Sequence, residues 1–339
     1  MTEQITKTPV RRAWPDWVGY ATAGWAAGYA VLALVWTVTG RGYPFGPADP
    51  DSIGPLRNLP AAVGAPLFAS GLVATAVVAL VMTGRGQPAP PVRYALAGFG
   101  ALVAGLLLVV VPEVRALALV GYAPMLILGA PFGWPPQADY SEIVTWPLLN
   151  QAIVIAGGFL VAGTVLSWLR RTRGACESCG RPGSARLQRW ARPAVAVAVV
   201  APLVYAVIRF AWLVGIPLTI TDEFLAELHD SGAVWAGAGL GAFAVVGAVL
   251  TLGLVQRWGE RFPGWMIGLA GRRVPVWLAV VPAALVSVLV TAAGVGLFSW
   301  RESFEAFGDG DWGGLPAALW PVWGVALGVA TAAYHQRRR

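Results

Sequence analysis

The sequence predicts an all-helical polytopic transmembrane bundle of about eight helices, built as two tandem four-helix repeats with both termini cytoplasmic. Three observations carry this. First, 57% of the 339 residues are hydrophobic and 12% charged, with a mean hydropathy of +0.65, whereas a soluble domain carries about a quarter charged residues. Second, apolar runs recur, each near the roughly 20 residues a helix needs to cross the hydrocarbon. Third, basic residues gather on alternate connections, as they do on the cytoplasmic side of membranes. Only helices or closed barrels satisfy their backbone in lipid, and the runs lack the alternation of barrel strands.

In chain order, residues 1–16 form a basic cytoplasmic segment, and the apolar run behind it is longer than a signal-peptide core and ends without a small-residue cleavage site. It reads as a retained first helix, 17–38. Further spans are expected over 61–83, 93–112, 146–168, 193–215, 233–256, 275–298 and 315–334. They divide the chain into a first repeat (17–168), an Arg-rich cytoplasmic loop (169–192), a second repeat (193–334) and a basic tail (335–339). The cytoplasmic connections and the basic residues at their helix edges then hold 19 of the 24 Lys and Arg. The outer loops hold only Arg41, Arg57, Arg115 and Arg301, but 13 of the 17 acids. One apolar stretch, 116–134, cannot be a further span without placing Arg170, Arg171 and Arg173 outside. It is expected to be a re-entrant or interfacial hairpin on the outer face, broken by Pro124 and Pro131.

The repeat rests on ordered matches. Tyr29-Ala30-Val31 with Trp36 answers Tyr205-Ala206-Val207 with Trp212, Pro91-Val92 answers Pro275-Val276, and Trp146-Pro147 answers Trp320-Pro321, at offsets of 176, 184 and 174. Four helices per unit is an even number, so both copies enter from one side, as parallel repeats do in some transporters. Retention of an old duplication for packing alone gives the same pattern. The copies differ most between their third and fourth helices.

Arg209 is the one clear ionisable residue inside a span, and such residues face a protein interior or an aqueous cavity unless they snorkel to the headgroups. It sits about six residues, roughly 9 Å, from the outer end of its helix. If it faces inward, Asp222, Glu223, Glu113 or an anionic substrate group would be its partner. Asn150 and Gln151 can hydrogen-bond between helices or hold a ligand. Tyr29 and Tyr205 share that ambiguity, and Trp36 and Trp212 read first as interfacial belt residues. The outer stretch TDEFLAELHD spaces Phe224, Leu225 and Leu228 as a short amphipathic helix, whose acids solvate a loop, concentrate cations or dock a basic partner.

Cys176 and Cys179 form a single Cys-x-x-Cys in RRTRGACESCGR. Zinc needs four ligands, and His229 and His335 are remote, so a metal here would require a second subunit or a partner. A degenerate structural knuckle and a redox pair are the other readings, the latter lacking a thioredoxin-like context. No cofactor is otherwise expected. The arginines of this loop suit anionic headgroups and need no nucleic acid to explain them.

No Walker loop, Gly-x-Ser-x-Gly elbow, His-Glu-x-x-His or pair of Asp-rich motifs is present. With two His and few carboxylates in the spans, enzymatic chemistry inside the membrane has little to work with. The segments RWGERFPGWMIGLAGRRVPVWLAVVPAAL (257–285), RRTRGACESCGR and VPVWLAVVPAALVSV resemble multi-pass membrane proteins of actinobacteria such as Streptomyces, and the Arg-rich usage of 23 Arg to one Lys suits a GC-rich genome of that kind. The resemblance implies a cell-membrane location and carries over no catalytic residue.

These readings point to a small-molecule or ion permease with a site between the repeats near Arg209, Asn150 and Gln151. The alternative is a scaffold or sensor subunit, working with a protein partner or second copy through its acidic outer loops or the Cys176 loop. A third reading, chemistry on lipid-linked substrates at the outer face, would depend on Asp222, Glu223 or Glu113.

Overall fold

A computed structural model describes residues 14–84, 86, 88–129, 131, 145–173, 184–264, 266–299 and 315–338. Among these, regular structure is helical apart from one isolated antiparallel bridge between Arg261 and Arg273. The principal helices are α1 (Trp14–Thr39), α2 (Ala61–Thr83), α3 (Pro90–Val110), α4 (Val114–Gly129), α5 (Trp146–Thr172), α6 (Ser184–Leu213), α7 (Asp222–Asp230), α8 (Ala233–Leu252), α9 (Val276–Ser299) and α10 (Trp320–Arg337). Seven of the described helices, α1, α2, α3, α5, α6, α8 and α9, are long and apolar enough to cross a membrane. They leave Val31, Leu102, Val207 and Leu250 about 60% exposed, an arrangement that is costly in water and natural in lipid. This is an integral membrane protein with a multi-pass helical bundle.

Two tightly packed groups of helices follow from the order of the chain. In the first, α1 packs on α2 and α5, and α3 packs on α5. In the second, α6 packs on α8 and α10, and α9 packs on α10. Glycines set the closest approaches, as expected where no hydrophobic force draws helices together in lipid. A Cβ on Gly157 of α5 would lie 1.9 Å from the Trp25 ring of α1, and one on Gly324 of α10 would lie 2.6 Å from the Ser287 carbonyl of α9. The groups meet where α4, α5 and the end of α3 face α9, around Ala116, Leu148, Ile155 and Leu289.

The ends of the elements sort into two layers. One layer joins the α1–α2 loop, the α3–α4 corner, the start of α5 and the end of α9, where Gly296 faces Gly54 and Ile53. At the opposite end, Arg93 donates to the Thr172 carbonyl, Arg171 to Met82, and Ser167 to the Pro15 carbonyl. Tyr334 and Arg337 tie α10 there to Gly259 and Leu254 of the α8–α9 loop.

The expected 315–334 crossing is covered by a one-turn helix, Leu315–Ala318, followed after Leu319 by α10, which taken alone is shorter and less apolar than the seven spans. Three expectations change. In place of a break at Pro124, α4 runs as one helix through it; a neighbouring protein surface can re-satisfy the freed carbonyl inside a membrane bundle. The stretch expected as a 169–192 loop is helical to Thr172 and again from Ser184. Trp36 and Trp212 are not belt residues: both are under 5% exposed, while Trp146, Trp190, Trp235 and Trp277 are exposed near helix ends.

Candidate functional site

The α3–α4 corner builds the most polar point of the interior. The last turn of α3 widens to a π-helix over Leu106–Val110, with the Val111 amide donating to the Leu106 carbonyl. Pro112 follows, which has no amide hydrogen to continue the helix, and the chain turns so that Glu113 points inward at 2% exposure. Its Oε2 accepts from the Ser52 hydroxyl (3.1 Å) and the Ile53 and Gly54 amides (2.9 and 3.1 Å). Its Oε1 accepts from Gln151 Nε2 (2.9 Å) and Arg115 Nε (2.7 Å), while its own amide donates to Gln151 Oε1 (3.2 Å). Arg115 also forks onto the buried Asp49, with Nη1 to Oδ1 at 3.1 Å and Nη2 to Oδ2. Burial pulls the Arg115 guanidinium down, but Asp49 and Glu113 outweigh it and hold its pKa above the ordinary value.

Next to this cluster, Asn150 Nδ2 donates to the Trp146 carbonyl (2.8 Å), and its Oδ1 accepts from the Tyr29 hydroxyl (3.0 Å). Trp146 Nε1 in turn donates to the Gly42 carbonyl (2.8 Å). The predicted residues Glu113, Gln151, Asn150 and Tyr29 thus come together, on α1, α5 and the α3–α4 corner. A carboxylate offers about four lone-pair sites, and those of Glu113 are filled. The cluster is a latch between elements, with no acceptor left for a substrate proton.

Arg209 lies elsewhere, and its partner is none of the expected acids. Glu113 pairs with Arg115, and among the described residues Asp222 and Glu223 are exposed without an ion pair. Half-buried, Arg209 sits over the rings of Tyr205 (4.9 Å) and Trp212 (4.5 Å), contacts that contribute roughly 0.5–2 kcal/mol each. Its aliphatic stem crosses Gly237 and Gly241 of α8, where added Cβ atoms would approach to 3.4 and 3.3 Å. No hydrogen bond joins it to Asn150 or Gln151, and Tyr122 of α4 is within its electrostatic reach. Thr221 caps α7 by accepting from the Phe224 amide. Cys176 and Cys179 lie outside the described residues, and among those described no three His, Cys, Asp or Glu gather as a metal site.

A cavity of about 680 Å³ opens between α4, α5 and α9. Leu119 and Val120, Ile155 and Phe159, and Leu285 and Leu289 are among its walls, and every lining side chain among the described residues is apolar. Ala116 and Leu148 connect it to the latch, since they follow Arg115 and precede Gln151 closely in sequence. On the other flank, Gly121 of α4 meets Leu240 of α8, so α4 separates the cavity from the Arg209 region.

Sequence reasoning missed Arg115 and Asp49 as Glu113 partners. The available signal was Arg115 itself, one of four basic residues on a side otherwise rich in acids. Comparison of the chain with models of known families, with curated proteins and with solved structures returns no match in any of the three.

Proposed function

We propose that this protein is a permease-like membrane protein that binds an apolar or amphipathic small molecule between its two helix groups. The observation that carries the reading is the cavity between α4, α5 and α9: it is large enough for a small ligand, apolar in its described lining, and placed where the groups meet. Ala152, Ala156 and Phe159 on its α5 wall are exposed, which suits entry from the bilayer rather than from water. A hydrophilic ion would find no ligand there.

The same reading includes eight crossings, with α10 as the last, both termini in the cytoplasm of the cell membrane, and two repeats related along the membrane normal. Supporting the duplication, α1–α2, α1–α5 and α3–α5 packing recurs as α6–α8, α6–α10 and α9–α10 packing. Among the described residues α4 has no counterpart between α9 and α10, and it lies on the cavity. The test is purification in nanodiscs, mass spectrometry of retained small molecules, and exchange of the retained compound across proteoliposomes. Ala156→Trp is expected to abolish retention and exchange. Retention of nothing, or equal exchange by that variant, overturns the proposal. Topology is checked by single cysteines in a background lacking Cys176 and Cys179: Asp51→Cys is expected to label from outside intact cells, and Gly268→Cys only after permeabilisation.

One observation favours a second reading as a partner-dependent scaffold or sensor: α7 exposes Phe224 beside Asp222 and Glu223. A stoichiometric protein lost on Phe224→Asp would support it. An intersubunit zinc at Cys176 and Cys179 is also proposed, with metal content of the purified oligomer against C176S as its test.

A further inference from the structure

We infer that the groove under the α8–α9 loop is a binding site for one anionic phospholipid, independent of the permease reading. The groove is a second cavity, of about 420 Å³, walled by α8, α9, α10 and the loop, with Trp258, Phe262, Leu278, Pro282 and Trp323 among its lining. It lies at the end of the bundle where the basic helix ends collect. Leu278 and Pro282 are exposed on its α9 wall, so it opens toward lipid, and the apolar lining suits an acyl chain.

The loop is held over the groove by ties that use up its acid. Glu260 pairs with Arg337 (3.2 Å) and Arg338 (3.9 Å), Arg338 donates to the Val274 carbonyl (2.9 Å), and Tyr334 to the Gly259 carbonyl (2.7 Å). That leaves Arg257, Arg261, Arg272 and Arg273 exposed, with no ion pair among the described residues. The Phe262 amide donates to the Arg272 carbonyl and the Val274 amide to the Glu260 carbonyl, both at 3.0 Å. Arg261 and Arg273 are therefore a directly opposed, non-hydrogen-bonded pair, in which like charges repel unless an anion lies between or beside them. By strand alternation, Arg272 shares its face with the groove-lining Phe262, and Arg257 precedes the groove-lining Trp258. Ile267 and Leu269 at the loop tip are exposed, Ile267 fully, which places the tip among headgroups rather than in water. An acyl chain in the groove with its phosphate on Arg257 and Arg272 satisfies both the apolar lining and the arginines that have no ion pair among the described residues.

The test is native mass spectrometry of the full chain from nanodiscs holding equal phosphatidylglycerol and phosphatidylcholine. One tightly retained phosphatidylglycerol per protein is expected. Because each arginine near an anionic surface is worth about fivefold, R257Q/R272Q is expected to lower the phosphatidylglycerol preference by about 25-fold while leaving the exposed loop folded. A283W is expected to lose both lipids. Equal retention of the two lipids by the wild-type chain, or an unchanged preference in R257Q/R272Q, overturns the site, and does so even if A283W fails to fold.

Discussion

Glu113 shows how far a single residue can set the interior. With both carboxylate oxygens filled and Arg115 bridging onward to Asp49, removal of the acid leaves an arginine beside orphaned backbone amides. Breaking a buried pair from one side costs about 3–5 kcal/mol, so Glu113→Ala is expected to lose roughly that in reversible unfolding from detergent, whereas exposed Glu223→Ala is expected to shift stability by less than about 0.5 kcal/mol. Tyr43 offers a different check. Its hydroxyl is buried, has no partner among the described residues and sits where a Cβ on Gly64 would fall, 2.1 Å away. Burial pushes its phenol up to about 12. The folded state therefore favours the neutral phenol, and its contribution is complete below pH 10 and lost as pH rises from 10 to about 12. Tyr43→Phe is expected to flatten stability across that window and to rescue part of the loss caused by Gly64→Ala; equal alkaline slopes in wild type and Tyr43→Phe would contradict this.

At the scale of the helix, small residues decide spacing. Trp25 lies on Gly157 so closely that Gly157→Ala must push α1 from α5, an overpacking expected to cost about 1–3 kcal/mol and to be relieved in part by Trp25→Leu. A double-mutant cycle in detergent measures the relief, and additivity would count against direct contact. Much at this scale was legible in the sequence, because hydrophobic length alone delimits a membrane helix: the expected 61–83 and the start at Trp146 agree with the helices found. Pro124 misled because a proline that ends a helix in water is tolerated within a bundle. Trp36 and Trp212 misled because composition cannot tell an indole at the lipid surface from one whose ring meets Tyr29 or lies beneath Arg209. The Glu113–Arg115 pair was hidden because two residues apart on a regular helix do not face each other; the π turn and Pro112 change that geometry.

For the whole molecule, the predicted site divided into three places. Tyr29, Asn150, Gln151 and Glu113, on α1, α5 and the α3–α4 corner, meet one another, Arg209 stays with its own aromatic rings, and the cavity lies between them with no charged wall among the described residues. Long-range placement of this kind depends on how helix groups dock, which no local pattern encodes. If α4 governs the cavity, Val120→Trp is expected to reduce ligand retention at least tenfold while the Glu113 latch keeps stability within about 1.5 kcal/mol of wild type; undiminished retention would move the ligand site elsewhere.

The polar last turn of α10 bears on how the protein is made. Taken alone, α10 carries fewer apolar residues than the seven spans and ends in His335, Gln336 and Arg337, while its Val322 and Val325 face outward and Tyr334 is fully buried. In the proposed eight-crossing topology, docking onto α6 and α9 after they have left the ribosome holds it in the bilayer. Widening the α9–α10 contact with Gly324→Leu should therefore strand newly synthesised α10 outside the membrane. The defect would appear in pulse-labelled cells as early proteolysis, before any fault in the mature protein could be measured.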